Sequence, residues 1–265
     1  MKKRIAILGC GWLGLPLAEK LIAEGYDING STTTTVKQKL LRQKGVKPFL
    51  INTESLDEGA FLEFLQADIL IIAMTPQSKK RYRKLIEVIE QSPVKQILFV
   101  SSTAVYPVNN DVVHEKDAAY MKSVHSGRVM LELEELFTKN DNFETTVIRF
   151  CGLFGPARIP GRFMAGFRDL KGGDNPVNMI HLDDCIQILW RIIDRDIWGD
   201  VFNACSDHHP SRKEFYKMAA TSAGLVPPQF SNRDEPDKFR VVSSDKLKEK
   251  LDYTFIHPNP LKALK

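Results

Sequence analysis

Residues 4–14 read RIAILGCGWLG, a short apolar run that leads directly into glycines at positions 9, 11 and 14. A helical pattern of apolar residues follows as far as Ile22, and Gly25 ends it. The spacing G-x-G-x-x-G is weak evidence alone, but between a strand and a helix it predicts the first turn of a dinucleotide-binding fold. The alternative is a tight turn that holds no ligand.

Each glycine has a separate task in such a turn. The first makes the tight bend, the second lets the backbone approach a pyrophosphate, and the third allows the helix to pack closely on the strand. Backbone N–H groups and the dipole of the helix then hold the phosphates. We therefore expect cofactor contacts at Gly9, Gly11, Trp12, Leu13 and Gly14.

Apolar runs and helical patterns alternate over the first two-thirds of the chain. Strands are predicted at residues 4–8, 27–30, 46–51, 67–73, 96–100, 145–150 and 201–205. Helices are predicted at residues 13–22, 36–43, 59–66, 80–91, 123–139 and 180–195, with another from residue 211. Unbroken apolar strands that alternate with helices predict a parallel sheet covered on both faces. The predicted fold class is therefore α/β, a Rossmann-like doubly wound parallel sheet of about seven strands with a small C-terminal substrate lobe.

The composition of the sequence changes after Gly155. Residues 156–176 are rich in proline and glycine and carry only a short helical pattern, which is typical of a binding loop or lid. We therefore predict a dinucleotide-binding domain at residues 1–155, completed by about 180–206. Residues 156–179 and 207–265 are predicted to form the small substrate-binding lobe.

Composition and charge exclude several classes of protein. The chain of 265 residues is 43% hydrophobic and 26% charged, with a net charge of +4, which argues against a disordered or fibrous chain. The basic run at 79–84 reads as a solvated helix start, since no stacking-aromatic or zinc pattern accompanies it. The four cysteines are far apart, which argues against a zinc site or disulfides and fits a cytoplasmic location. No apolar run approaches the ~20 residues of a membrane helix, so we expect no membrane partner. Together, these features lead us to expect a small-molecule substrate and neither a metal nor a nucleic-acid partner.

The end of the second strand bears on which dinucleotide binds. NAD-preferring sites usually place an acid about 20 residues after the glycines to accept the ribose hydroxyls. Residues 30–37 read GSTTTTVK and contain no acid. The hydroxyls of Ser31, Thr32 and Thr33 and the cation of Lys37 suit a 2′-phosphate, so the sequence favours NADP over NAD. Alternatively, the threonines only cap the following helix.

Four later motifs point to one family. They read FVSSTAVY at 99–106, VIRFCGLFGP at 147–156, NMIHLDD at 178–184 and VFNA at 201–204. In this order and spacing the whole chain resembles the extended short-chain dehydrogenase/reductases, the NAD(P)-dependent epimerase/dehydratase family. SGRV at 126–129, PGRF at 160–163 and the His-Pro at 209–210 are similar to the YeeZ-like branch. The resemblance implies a nicotinamide dinucleotide on the glycine turn, with Met74, Thr75 and Pro76 beside it.

The resemblance also shows what is missing. Family enzymes carry a Y-x-x-x-K pair on the helix after the fifth strand. The tyrosine exchanges a proton with the substrate oxygen while hydride moves to or from the nicotinamide, and the lysine lowers the pKa of the tyrosine. No tyrosine of this chain has a lysine four residues later. By register with family helices, Ser126 stands where the tyrosine would be and Met130 where the lysine would be. Serine has no usable pKa near neutrality without a base, and Met130 is interpreted as packing on the sheet.

The third catalytic position of the family keeps a hydroxyl. Ser102 stands at this position, with Thr103 beside it. Either hydroxyl is able to bind a substrate carbonyl; alternatively, it only forms a hydrogen bond with the backbone at the end of the strand. With Ser126 they are the candidate catalytic residues. A histidine is another candidate acid, although His181 is more simply structural and Asp183 is most simply a partner of a helix dipole.

By resemblance, the substrate would lie between the dinucleotide domain and the residues after Gly155. The candidate contacts are Phe154, Arg162, Phe163 and Asn178. The cation suits an anionic substrate, while the aromatic residues alternatively belong to the core. The C-terminal part is short for the family, so a nucleotide sugar is not assumed.

Two functions stay open at this point. The first is an NADP-dependent oxidoreductase or epimerase-like enzyme with a non-standard active site, acting on a small carbonyl or hydroxyl substrate. The second is a catalytically inactive dinucleotide-binding sensor or interaction protein that has lost the proton chemistry. A homodimer through the helix at 123–139 is expected by analogy alone.

Overall fold

A computed structural model describes residues 3–118, 125–231 and 238–264, and the side chains of residues 125 and 126 lie outside the description. The strands are β1 (Arg4–Leu8), β2 (Asp27–Thr32), β3 (Lys47–Leu50), β4 (Ile69–Ile72), β5 (Gln96–Ser102), β6 (Val112–Val113), β7 (Glu144–Phe150), β8 (Gly152–Phe154), β9 (Met179–His181), β10 (Val201–Ala204) and β11 (Val241–Val242). The helices are α1 (Gly14–Ala23), α2 (Thr35–Gln43), α3 (Glu58–Phe64), α4 (Lys79–Ile89), α5 (His125–Thr138), α6 (Leu182–Asp194), α7 (Arg212–Ser222) and α8 (Asp245–Leu251).

Seven strands form one parallel sheet in the order β10-β7-β5-β4-β1-β2-β3. The chain runs from β1 through β2 to β3 and then crosses back to β4 on the other side of β1, and Leu8 of β1 pairs with Ile72 of β4. This reversal between β1 and β4 is where doubly wound sheets bind ligands, at the carboxyl ends of the strands. The predicted α/β fold with a sheet of about seven strands is confirmed.

Two small sheets were not predicted. β8 pairs with β9, and β6 pairs with β11, in both cases in parallel. The predicted helix at 180–195 is wrong at its start, because Ile180 and His181 pair with Leu153 and Phe154 as strand. A pair of apolar residues fits a helix and a strand equally well, so periodicity could not distinguish the end of a strand from the start of a helix here.

The chain divides into two compact units. Unit 1 comprises Met1–Ser101, Val129–Ile148 and Ile188–Val201, and unit 2 comprises Ser102–Arg128, Arg149–Gln187 and Phe202–Lys265. No helix among the residues that the structure describes is long and apolar enough to cross a membrane.

The core of unit 1 surrounds the middle of the sheet. Every residue of β4 is buried, as are the last four of β1, which explains why both read as unbroken apolar runs. On one face, the rings of Tyr82, Phe99 and Phe137 meet with centroids 5.0 to 5.9 Å apart. These three rings attach α4 and α5 to β5.

Unit 2 has its own core and a buried polar clamp. Phe154, Met179 and Phe215 form the apolar cluster. The fully buried Asp184 accepts three hydrogen bonds from the C-terminal segment, namely from the Tyr253 hydroxyl (2.7 Å) and the backbone N–H groups of Ile256 (2.7 Å) and His257 (3.1 Å). This one carboxylate therefore fixes residues 253–257 to the start of α6.

Candidate functional site

The glycine turn in unit 1 explains two of its three glycines by steric contact. Gly9 has φ +107°, and a Cβ there would lie 2.8 Å from the carbonyl oxygen of Ala73. A Cβ on Gly14 would overlap the carbonyl oxygen of Gly9. Both positions therefore require glycine for the turn to close against β4 and for α1 to start where it does.

Gly11 differs, because its side of the turn is open. Among the described residues, no atom beyond its chain neighbours would come within 4 Å of a Cβ on Gly11. The residue is exposed, Trp12 is half-buried and Leu13 is buried. The absence of a side chain at position 11 therefore leaves space outside the turn, where a ligand would approach the backbone.

The start of α1 lacks the side-chain cap that four of the other described helices carry. Thr34, Asp57, Ser78 and Ser211 each accept a backbone N–H at the start of α2, α3, α4 and α7. α1 has no side-chain cap at Leu13 and no acidic residue in its first turn. A helix start of this kind, behind an open glycine, fits a phosphate group that completes the hydrogen bonding.

The end of β2 is divided between structural and accessible residues. The buried Ser31 hydroxyl accepts the Gly9 N–H at 2.8 Å, and the Ser31 carbonyl accepts the Cys10 N–H at 3.1 Å. The Thr32 hydroxyl is buried and accepts the Thr34 N–H at 3.3 Å. Thr33 and Lys37 are exposed. Of the four residues predicted to contact a 2′-phosphate, these two present their side chains to solvent.

The segment after β4 lies against the glycine turn. The Ala73 N–H donates to the Leu8 carbonyl at 2.9 Å, so the two chain segments leave the sheet side by side. Met74 is half-buried, and Thr75 and Pro76 are exposed. The structure thus brings this predicted cofactor segment together with the glycine turn.

The candidate catalytic hydroxyls have different surroundings. The half-buried Ser102 Oγ accepts the Ala104 N–H at 3.2 Å, which starts a short 3-10 helix. Thr103 is buried. Ser126 belongs to α5 by its backbone, and its side chain lies outside the described part of the chain.

A buried pair fixes the register of α5 in unit 1. Ser101 donates a 2.5 Å hydrogen bond to Glu134, and both side chains are buried. Met130 lies four residues before Glu134, hence on the same face of the helix, and is 7% exposed. This agrees with the interpretation of Met130 as a packing residue. The sequence contains no indication that Ser101, rather than Ser102, would anchor the helix.

Tyr106 in unit 2 does not replace the missing tyrosine. Its hydroxyl donates to Asn203 Oδ1 at 2.6 Å and accepts from Arg149 at 2.8 Å. Burial raises the pKa of Tyr106 to about 12, and the charge of Arg149 offsets only part of that rise. A hydroxyl with this pKa does not exchange protons near neutrality, and its hydrogen bonds already engage Asn203 and Arg149. Its role is therefore structural.

The predicted substrate contacts fall into two groups. Phe154 is buried in the core of unit 2, and the Asn178 amide holds β11 by donating to the Arg240 carbonyl and accepting the Val242 N–H, both at 2.9 Å. Arg162 and Phe163 are exposed on a 3-10 helix, Pro160–Phe163. The exposed pair is therefore the part of this set that can reach a ligand directly.

A cavity of about 330 Å³ lies within unit 2 and is lined mainly by apolar side chains. Ile159, Ala219 and Leu264 contribute to the lining, and His181 is its one ionisable group. Burial lowers the pKa of His181, against the effect of the Asp183 carboxylate, so the ring favours its neutral form. The sequence does not indicate this cavity, because its walls come from distant parts of the chain.

The model of the NAD dependent epimerase/dehydratase family matches residues 5–205. The chain belongs to this family. Protein YeeZ of Escherichia coli strain K12 is 31% identical over 270 residues, which cover 98% of each chain. The resemblance to the epimerase/dehydratase family and to its YeeZ-like branch is confirmed.

Solved structures share the fold of this epimerase/dehydratase chain. A conserved protein of unknown function from Silicibacter pomeroyi has a TM-score of 0.83 at 22% identity, covering 99% of this chain and 97% of that one. The UDP-Glc/GlcNAc 4-epimerase of Campylobacter jejuni has a TM-score of 0.81 at 16% identity, covering 100% and 97%. MoeE5, solved with UDP-glucose and NAD, has a TM-score of 0.79 at 18% identity, covering 98% and 96%. At these identities the comparisons establish the fold of the chain.

Proposed function

We propose that this chain binds a nicotinamide dinucleotide on the turn at residues 9–14 and acts as an NADP-dependent oxidoreductase or epimerase-like enzyme on a small carbonyl or hydroxyl substrate. The observation that carries the proposal is the uncapped start of α1 behind the open Gly11. A pyrophosphate there would take the place that capping side chains hold on neighbouring helices. Membership of an NAD-dependent family supports the same cofactor class.

The end of β2 supports NADP as the preferred form. The exposed Lys37 offers a cation and the exposed Thr33 a hydroxyl, whereas residues 30–37 offer no carboxylate for the ribose of NAD. Ser31 is not a direct contact in this proposal, because the residue is buried. We expect Lys37→Ala to weaken NADP binding about tenfold, the equivalent of roughly 1.4 kcal/mol, and to leave NAD binding unchanged. Lys39→Ala, two residues further along α2, is the matched control for lost surface charge.

The proposed chemistry rests on hydroxyl groups in place of the tyrosine. The bound nicotinamide supplies hydride transfer, and the protein supplies orientation and hydrogen bonds. Ser102 accepts the Ala104 N–H, which leaves its own proton to donate to a substrate oxygen. Thr103 and Ser126 are the other proposed hydroxyls, and the exposed Arg162 and Phe163 stay the proposed substrate contacts. We keep residues 1–155 with 180–206 as the proposed dinucleotide domain, and 156–179 with 207–265 as the proposed substrate lobe.

Turnover tests this proposal. Purified protein is mixed with NADPH and a panel of small aldehydes and ketones, or with NADP⁺ and the corresponding alcohols, and the change in cofactor absorbance is followed. Nucleotide sugars are incubated with NADP⁺ and analysed for the epimer, because epimerisation leaves no net change in the cofactor. Loss of general acid catalysis costs about 10²–10⁴-fold, so slow rates that fall further in Ser102→Ala support the enzyme. Substitution of Ser92, a buried serine remote in sequence, by Ala controls for nonspecific loss of stability.

The replacement of the family pair favours a second candidate function. Met130 is buried, Tyr106 has no accessible proton near neutrality, and no described tyrosine precedes a lysine by four residues. A dinucleotide-binding sensor or interaction protein in the cytoplasm needs the pocket without the proton donor. Tight cofactor binding together with no turnover over the whole panel favours this function over the enzyme.

A further inference from the structure

Two histidines converge on one carboxylate oxygen in unit 2. The distance to Asp183 Oδ2 is 3.2 Å from His181 Nδ1 and 2.9 Å from His257 Nε2. The two imidazole rings are in edge contact with centroids 4.2 Å apart, and one donor atom from each of the three residues lies within 4.8 Å of the others. We propose that His181, Asp183 and His257 bind a divalent transition-metal ion, with Zn²⁺ as the reference ion.

The donor atoms suit this class of ion. Imidazole nitrogen and carboxylate oxygen bind Zn²⁺ at about 2.0–2.2 Å, which places neighbouring donors about 3 Å apart. The two distances to Asp183 Oδ2 match that separation. Two nitrogens and one oxygen favour a borderline ion over Ca²⁺ or Mg²⁺, which prefer oxygen alone. Three protein ligands also leave a coordination position for water or another small ligand.

The scaffold holds the ligands in place before any ion arrives. Asp184 is fully buried, and its oxygens accept the backbone N–H groups of Ile256 and His257 and the Tyr253 hydroxyl. His257, 74 residues further along the chain, is therefore fixed beside Asp183 by the next residue of α6. A site whose ligands are already positioned loses little freedom when the ion binds.

Binding requires two local exchanges. The hydrogen bond between His257 Nε2 and Asp183 Oδ2, at 2.9 Å, would give way to a bond from each atom to the ion. His181 Nδ1 accepts the Asp183 N–H at 3.2 Å, a long hydrogen bond, and an ion at this nitrogen would replace it. Solvent reaches the site, since the Asp183 side chain is 50% exposed and that of His257 is 27% exposed. The ion therefore has a route of entry that does not require unfolding.

The test uses the full chain, stripped of metal with a chelator. Zn²⁺ is titrated by calorimetry into the unaltered protein and into Asp183→Asn, His257→Gln and His208→Gln. We expect one equivalent to bind with a Kd below about 100 µM, and the first two variants to bind at least about tenfold more weakly. His208 is an exposed histidine outside the trio, so His208→Gln should bind like the unaltered protein. Circular dichroism verifies that each variant is folded.

A second measurement separates this site from the cysteines. X-ray absorption of the one-equivalent Zn²⁺ complex should show nitrogen and oxygen ligands only, because the four cysteines are buried and none belongs to the trio. Sulfur in the first coordination shell would overturn the proposal. So would a Kd above about 100 µM, or equal affinity in the unaltered, Asp183→Asn and His257→Gln proteins. None of these readouts depends on cofactor binding or turnover, so the metal site and the proposed enzyme can fail separately.

Discussion

Replacing Gly11 by alanine tests the proposal that the turn at residues 9–14 binds a pyrophosphate. The added methyl would meet no described atom within 4 Å beyond its chain neighbours. The fold should therefore tolerate it, and the free energy of unfolding should stay the same or rise by about 0.4–1 kcal/mol because the unfolded chain loses freedom. Gly11→Ala is thus expected to separate binding from folding.

The binding loss follows from distances. A phosphate oxygen accepts an N–H at about 2.9 Å, whereas a methyl carbon keeps other atoms about 3.5 Å away. The methyl would push the pyrophosphate outward and weaken one or two hydrogen bonds to a charged group, each about 1.5–3 kcal/mol. Since about 1.4 kcal/mol equals tenfold, the affinity for NADP and NAD should fall at least about tenfold.

Calorimetric titration with NADPH and NADH measures the affinity, and thermal unfolding of the same samples measures stability. Gly59→Ala is the matched control, because a Cβ at Gly59 in α3 makes only an ordinary 3.5 Å contact with Asp57. If Gly11→Ala binds both dinucleotides as tightly as the unaltered protein, the pyrophosphate does not lie on this turn and the reasoning is refuted. Gly14→Ala should instead prevent folding, since its methyl would overlap the Gly9 carbonyl.

Three further predictions concern stability. Phe137→Ala removes a fully buried ring from an aromatic cluster and should lower the free energy of unfolding by about 3–5 kcal/mol in urea titrations. Tyr106→Phe removes the hydroxyl that accepts from Arg149 and donates to Asn203 Oδ1, and should cost about 1–3 kcal/mol in the same assay, with unchanged dinucleotide affinity. Burial lowers the pKa of His209 below 6.5, so the unfolded chain binds more protons there. The free energy of unfolding should therefore fall as the pH drops below about 6.5, and His209→Asn should reduce that fall.

Each of these has a clear contrary result. If Phe137→Ala lowers the free energy of unfolding by less than about 1 kcal/mol, the neighbouring side chains fill the space that the ring leaves. Weaker dinucleotide binding in Tyr106→Phe would place this hydroxyl in the cofactor site, and would contradict a purely structural role beside Asn203 and Arg149. An identical pH profile in His209→Asn would assign the acid sensitivity to other groups.

The central strands and the glycine turn could be predicted because their causes are local. β4 is buried on both faces, so its sequence is apolar throughout. Gly9 is required by its positive φ and Gly14 by its contact with the Gly9 carbonyl, and both causes lie within one βα turn. The family followed from motifs at strand ends, which keep their order along the chain. Strands and turns with local causes of this kind can be predicted without knowing which residues pack against them.

The polar anchors could not be predicted, because each one joins residues far apart in sequence. Nothing near Asp184 indicates that it holds residues 253–257, and nothing near Ser31 indicates that its hydroxyl is bonded to Gly9. The short strands β6 and β11 pair two valines with two valines, too few residues for any periodicity. Such features depend on tertiary contacts rather than on propensity.

The bond from the Gly9 N–H to the Ser31 hydroxyl has a consequence for redesigning cofactor preference. An acid introduced at position 31 to select NAD would bury a larger, charged side chain beside the Gly9 N–H and disturb the glycine turn at the same time. Position 33 is exposed and has no such bond, so Thr33→Asp is the exchange that should alter the choice of nucleotide alone. In the proposed site, discrimination between NAD and NADP would be independent of the shape of the glycine turn at position 33 and linked to it at position 31.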